Sequence, residues 1–122
     1  MIRRVMNKND LEIYEDDTLV MTLSETIKDG EMSVHISGAI KSTVAHELED
    51  ELMAAVSFCR LISVNMSQVT FISGNALRSL LTVQRIADES DISLVIESPS
   101  EEVTAVFDES GFSDLLELRY ES

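Results

Sequence analysis

An Asp-Gly pair at Asp29-Gly30, flanked on both sides by alternating residues, constrains this chain more than any other feature. A two-residue type I′ turn needs positive φ at both central positions, which this pair accepts, and such a turn matches the twist of the strands it joins. The turn sets a register in which Lys28 pairs with Glu31, Ile27 with Met32, Glu25 with Val34 and Leu23 with Ile36. Side chains alternate along a strand, so one hairpin face carries Met21, Leu23, Ile27, Met32, Val34 and Ile36 and belongs inside. The other carries Thr22, Ser24, Thr26, Ser33, His35 and Ser37 and should meet water or something outside this core. Glu25 falls on the apolar side near the strand edge, where it is expected to reach solvent.

After Gly38-Ala39-Ile40 the apolar period changes from two to 3.6, with Val44, Leu48, Leu52, Ala55, Val56 and Cys59 on one stripe. This predicts a helix of about 15 residues, capped by Ser42 or Thr43, with Glu47, Glu49, Asp50 and Glu51 on its wet face. Leu61 to Met66 reads as a buried strand, and Leu77, Leu80, Leu81, Val83, Ile86 and Ala87 as a second helix with a broad apolar surface. Ile92 to Ile96 reads as another strand. Ser98-Pro99-Ser100-Glu101 then offers a cap, a proline for the first helical position and a capping-box glutamate for a third helix through Val103, Val106 and Phe107. Gly111 suits the left-handed position past its end, and Leu115 to Leu118 closes the chain. The order predicts an α/β fold: a mixed sheet with an N-terminal antiparallel hairpin, parallel inner strands and helices packed on the sheet.

At 122 residues there is room for one core, expected over 18–122, behind a polar, acidic leader at 1–17 that is either disordered or an added edge element. The 23 acids against 9 bases give a formal charge of -14, which repels phosphate backbones and anionic lipid and argues against nucleic acid as a partner. The longest apolar run, Leu52 to Val56, is far too short to enter a membrane, and one cysteine suits a reducing, cytoplasmic setting. Cys59 lies in phase with the apolar stripe and reads as a buried structural thiol. His35 and His46 have no acidic or thiol neighbour at ligand spacing, so both read as surface residues and no metal or other cofactor is expected. No nucleophile sits with a base and no Gly-rich phosphate loop is present, so the chain does not read as an enzyme.

One loop carries a recognisable stretch. Val69-Thr70-Phe71-Ile72-Ser73-Gly74-Asn75-Ala76-Leu77 resembles the signature of the STAS family of anti-sigma factor antagonists, in which valine, a polar residue, phenylalanine and isoleucine precede Asp-Ser-Ser-Gly-Leu. Asp29-Gly30, Gly38-Ala39-Ile40, Leu61 to Val69, Ser110-Gly111-Phe112 and Leu115-Leu116 are similar to further family pieces in the same order, from about Leu19 to Leu118. The resemblance implies a non-enzymatic module whose loop serine is phosphorylated by a partner kinase, often an anti-sigma factor, so that the added charge abolishes docking. It implies as partner-binding residues Lys41, Ser42, Asn65, Ser73, Gly74, Asn75 and Arg78.

The sequence departs from the pattern where the switch should be. Aligned without gaps, Ser73 stands at the aspartate, Gly74 at the phosphoacceptor, Asn75 at the second serine and Ala76 at the glycine. Lys41 and Asn65 stand at two further acidic positions. A glycine has no hydroxyl to modify, which leaves Ser73, one residue early, as the only candidate for modification there. The expectation is an anti-sigma factor antagonist-like binding domain that docks a kinase, an anti-sigma factor or another signalling protein by shape, with a homodimer compatible. The alternative is an accessory subunit that binds the cytoplasmic ATPase of a lipid-transport ABC system, a role that needs no phosphorylation.

Overall fold

Asp29 and Gly30 both take positive φ, 54° and 77°, and the strands they join pair in the register expected: Lys28 with Glu31, Ile27 with Met32, Glu25 with Val34 and Leu23 with Ile36. A computed structural model describes residues 1–120 of the chain. Around this hairpin, β3 (Thr18–Lys28) and β4 (Glu31–Ile40), the other elements follow as β1 (Ile2–Asn7), β2 (Asp10–Glu15), α1 (Ala45–Val56), β5 (Leu61–Ile72), α2 (Gly74–Glu89), β6 (Ser93–Glu97), α3 (Glu101–Ser110) and β7 (Leu118–Arg119). The strands form one seven-stranded sheet in sequence order, antiparallel from β1 to β4 and parallel from β4 to β7.

Residues 1–17 hold the edge element. Leu11 and Ile13 of β2 point into the core, and β1 pairs outside it. The local signal is there in the chain: Leu11 and Ile13 alternate with Glu12 and Tyr14, and the turn that follows uses Asp16 and Asp17 at φ 49° and 67°, the geometry a tight hairpin needs.

From Glu31 to Ile36 of β4 the burial alternates, with Met32, Val34 and Ile36 inside and Glu31, Ser33 and His35 outside. The helices cover the apolar face, where Leu48 and Leu52 of α1, Leu80 and Val83 of α2, and Val103 and Phe107 of α3 join the sheet residues in one core. Cys59 is buried with them, and burial pushes its thiol pKa up, which keeps it protonated and inert. The opposite sheet face keeps its serines and threonines exposed or half-buried.

The structure corrects several local expectations. Ile27 shares the apolar face yet is 50% exposed, although its cross-strand partner Met32 is buried. Glu25 does not run out to water: it is half-buried under α1, and its Oε2 is enclosed without a hydrogen-bond partner. Neither Ser42 nor Thr43 caps α1 through its side chain; a turn of 3-10 helix over Ser42–Val44 precedes it, and α1 itself is 12 residues long. Glu47 leaves the wet face and is buried, held by Arg4 of β1 at 2.7 Å. β5 does not stop at Met66 but runs on to Ile72.

The third helix also starts later than expected. Ser100, not Ser98, is the N-cap, accepting from the Val103 amide at 3.2 Å, so Pro99 lies before the cap rather than inside the first turn. Tertiary bonds decide this. The Ser100 hydroxyl donates to the Val69 carbonyl at 2.6 Å and its amide donates to the Met66 carbonyl at 3.2 Å, which seats that residue against β5. Replacing Ser100 by alanine removes both the cap and the strand contact and should cost about 1–2 kcal/mol in a urea melt, whereas Ser98→Ala should cost less.

Candidate functional site

The end of β4 and the end of β5 lie side by side. Ile40 pairs with Ile72, and the Ser73 amide donates to the Ile40 carbonyl at 3.0 Å, so Lys41 and Ser73 leave the sheet next to each other. Such carboxyl-end loops of parallel strands are where an open α/β sheet presents its functional groups. From this point the chain builds two helix starts, the 3-10 turn into α1 and the first turn of α2.

Ser73 is the N-cap of α2. Its extended backbone, φ -81° and ψ 164°, turns the side chain back so that Oγ accepts from the Ala76 amide at 3.2 Å, and the residue is only 8% exposed. Gly74 and Asn75, by contrast, are exposed, and a Cβ added at Gly74 would meet nothing within 4 Å. Arg78, one turn on, reaches back and donates to Asn75 Oδ1 at 3.3 Å. Ser42, His46, Glu49, Asn75, Arg78 and Ser79 line a shallow polar cleft of about 330 Å³ between the two helix starts. Lys41 stands at its border, with Nζ 3.6 Å from Glu15 of β2, so the N-terminal strands reach this corner too.

The fold thus brings together Lys41, Ser42, Ser73, Gly74, Asn75 and Arg78. It does not bring Asn65 to them: that residue lies seven positions before Ile72 on β5, and its Oδ1 closes a local turn by accepting from the Ser67 amide at 3.0 Å and the Ser67 hydroxyl at 2.7 Å. Phe71, which sequence reasoning places only within the signature stretch, becomes prominent instead. Because β5 continues as a strand to Ile72, which points inward, its neighbour Phe71 points outward and is 51% exposed beside the loop. His46 and His35 are both exposed, and His46 Nε2 lies 3.3 Å from Glu47 Oε1.

Chemically the corner offers an exposed aromatic ring, an amide, two cations and the positive end of α2, in a shallow opening with no activated nucleophile among the described residues. A family model described as Mlab, STAS domain, matches residues 23–117. The chain belongs to the STAS domain family. That match runs from the middle of β3 to just before β7, so it takes in the hairpin, all three helices and the loop at Ser73.

Solved STAS-type structures agree with the fold. The anti-sigma factor antagonist SpoIIAA in its unphosphorylated form superposes with a TM-score of 0.70 at 14% identity, covering 82% of this chain and 88% of that one. The Bacillus cell fate determinant SpoIIAA in its phosphorylated form gives 0.66 at 13% identity, covering 82% and 91%. An anti-sigma factor antagonist from Mycobacterium paratuberculosis gives 0.67 at 19% identity, covering 84% and 86%. At such identities the likeness is one of fold. No curated protein matches this sequence. None of the helices among the described residues is long and apolar enough to cross a membrane.

Proposed function

We propose that this STAS domain is a non-enzymatic, cytoplasmic regulator of the anti-sigma factor antagonist kind, which docks a kinase, an anti-sigma factor or another signalling protein through the start of α2 and lacks the usual serine switch. One observation supports the reading: the loop's hydroxyl nearest the switch position points inward while Gly74 and Asn75 stay exposed. Gly74, at the position of the family's phosphoacceptor, carries none, and Ser73 is 8% exposed with its Oγ occupied by the Ala76 amide. A kinase would have to unwind the first turn of α2 to reach it. Docking then depends on Phe71, Asn75, Arg78 and the cleft beside Ser42, all of which stay presented whatever the kinase activity around them.

Two measurements test this. Incubation with the kinase that binds the domain, and ATP, should leave no phosphate on Ser73 by mass spectrometry; stoichiometric phosphate there would overturn the loss of the switch. Asn75→Arg, which puts bulk and charge at the exposed loop without touching the core, should weaken capture of the partner about tenfold or more. Unchanged capture would move the docking surface elsewhere.

A second reading is favoured by the same missing hydroxyl and by the family model, which names Mlab alongside the STAS domain. In it the domain is an accessory subunit that binds the ATPase of a lipid-transport ABC system, a task that needs no phosphorylation. The identity of the protein that co-purifies decides between the two: a transporter ATPase sinks the signalling reading, and a sigma-controlling kinase sinks the transport one.

A further inference from the structure

The three helices divide their charges unequally. α1 carries Glu47, Glu49, Asp50 and Glu51 and α3 carries Glu101, Glu102, Asp108 and Glu109, neither with a lysine or arginine. α2 carries Arg78 and Arg85 and no acid before Asp88. The two arginines stand seven residues apart, so they lie two turns apart on one helix face. Leu81 and Thr82 lie between them, and Leu115, from the turn after α3 and 59% exposed, forms the opposite wall. Together these residues line a groove of about 410 Å³ whose other end is closed by Gln84 and Asp88.

The arginines of this groove are set apart in a second way. In a chain with 23 acids, Arg3 pairs with Asp17, Arg4 with Glu47 and Glu51, Arg60 with Glu31 and Arg119 with Glu97. Among the described residues Arg78 and Arg85 form no ion pair. Even Asp88, the acid that shares their groove, is engaged elsewhere, accepting from Gln84 Nε2 at 3.1 Å. Two guanidinium groups with unspent charge, two turns apart and flanking an apolar slot, are complementary to carboxylates with the same spacing on either side of an apolar side chain.

We propose that the groove between α2 and Leu115 docks an acidic amphipathic helix of a partner protein. An apolar residue of that helix seats between Leu81 and Leu115, and carboxylates about two turns apart meet Arg78 and Arg85. The formal charge of -14 sharpens the choice of site. The acidic faces of α1 and α3 repel such a helix, so the groove is the one helical surface that accepts it, and wrong placements are disfavoured by like charge. The proposal rests on reading the domain as protein-binding, but of the groove's lining it shares only Arg78 and Thr82 with the cleft at the Ser73 loop.

The test titrates the full chain, labelled with 15N, with a synthetic helical peptide bearing Leu at i, i+3, i+4 and i+7 and Glu elsewhere, and with a twin in which every Glu is Lys. The Glu peptide should shift the amides of Arg78, Leu81, Thr82, Arg85 and Leu115 with a Kd of about 0.1–1 mM, and the Lys twin should not shift this set. Raising salt from about 0.05 to 0.3 M should weaken the Glu peptide several-fold. Arg85→Glu should weaken it about tenfold while leaving the thermal midpoint unchanged, and Arg85→Lys should retain most of the binding.

Absence of groove shifts at about 5 mM peptide, or equal shifts with the Lys twin, overturns the proposal. So do groove shifts that follow protein concentration alone together with a doubled mass, which would make the occupant a second copy of this chain. The loop reading fails separately. If the Glu peptide occupies the groove while Asn75→Arg still captures the natural partner, the loop is wrong and the groove stands. If the peptide leaves the groove untouched while Asn75→Arg loses the partner, the groove is wrong and the loop stands.

Discussion

Gly38→Ala should destabilise this domain by about 3–5 kcal/mol, read as a large fall in the urea midpoint with an unchanged m-value. Gly38 sits in β4 between Met21 of β3 and Val69 of β5, so it is paired on both sides in the middle of the sheet. Its φ is 98°, which an L side chain adopts only under strain of about 1–2 kcal/mol. A Cβ built there also drives into the Val20 backbone carbonyl, well inside van der Waals contact, with the Val20 carbonyl carbon and Met21 Cα close behind. No flexible side chain can give way, because the obstacle is the neighbouring strand itself. Relief requires β3 to move off β4, and β3 carries Met21 and Leu23 of the core. Gly74→Ala is the control: it has open space around the added Cβ and an ordinary φ, and should change stability little or raise it slightly. A loss below about 1 kcal/mol at Gly38 would show that the strands separate more easily than their pairing implies.

The second large effect is a dependence of stability on pH that Glu25→Gln should remove. Burial pushes the Glu25 carboxyl up from 4.5 to about 7, the facing Glu51 carboxylate adds to the rise, and Arg4 opposes it. The geometry explains the imbalance. Arg4 spends its guanidinium on Glu47 at 2.7 Å and Glu51 at 2.6 Å, which leaves Oε2 of Glu25 enclosed and unpartnered beneath them. Three carboxylates face one cation.

The folded state therefore keeps a proton on Glu25 that the unfolded chain gives up near pH 4.5. The contribution is fully present below that pH, falls as pH rises through the window to about 7, and is gone above it. A fully expressed shift of this size is on the order of 3 kcal/mol, and solvent screening at a half-exposed side chain reduces it to about 1–2 kcal/mol. Glutamine keeps the shape, stays neutral and can donate to Glu51, so the variant should be more stable than wild type by that amount at pH 8 and about equal to it at pH 5. Chemical denaturation at the two values checks the sign. Equal stabilities at pH 8 would mean that water reaches Oε2 after all.

How much of this is legible in the chain depends on the range over which each feature is decided. The hairpin register follows from Asp29-Gly30, because turn geometry and alternation act over a few residues. The three helices and the inner strands follow from apolar spacing in the same way, and the STAS resemblance is carried by short pieces in order. Leu11 and Ile13 are legible in principle, but a two-strand element with many acids looks like a leader until its core-facing residues find a partner sheet. Glu47 is not legible at all, since its burial depends on Arg4, 43 residues away. Ser100 displaces Ser98 as a cap for a similar reason, through its bonds to Val69 and Met66 on another element. At the proposed docking corner, Gly74 at the phosphoacceptor position is readable from alignment alone. That Asn65 turns away to Ser67, and that Phe71 emerges, depends on the path of β5 beyond Met66.

By itself, then, the sequence determined the order of the elements from the hairpin onward, the hairpin register and most of the core, because turn chemistry and hydrophobic period are local and each element carries its own. The tertiary structure alone decided which charges are paired and which are left over. An ion pair or a buried carboxylate depends on groups brought together from distant segments, and a net charge of -14 says nothing about which of the nine cations stay free to meet a partner.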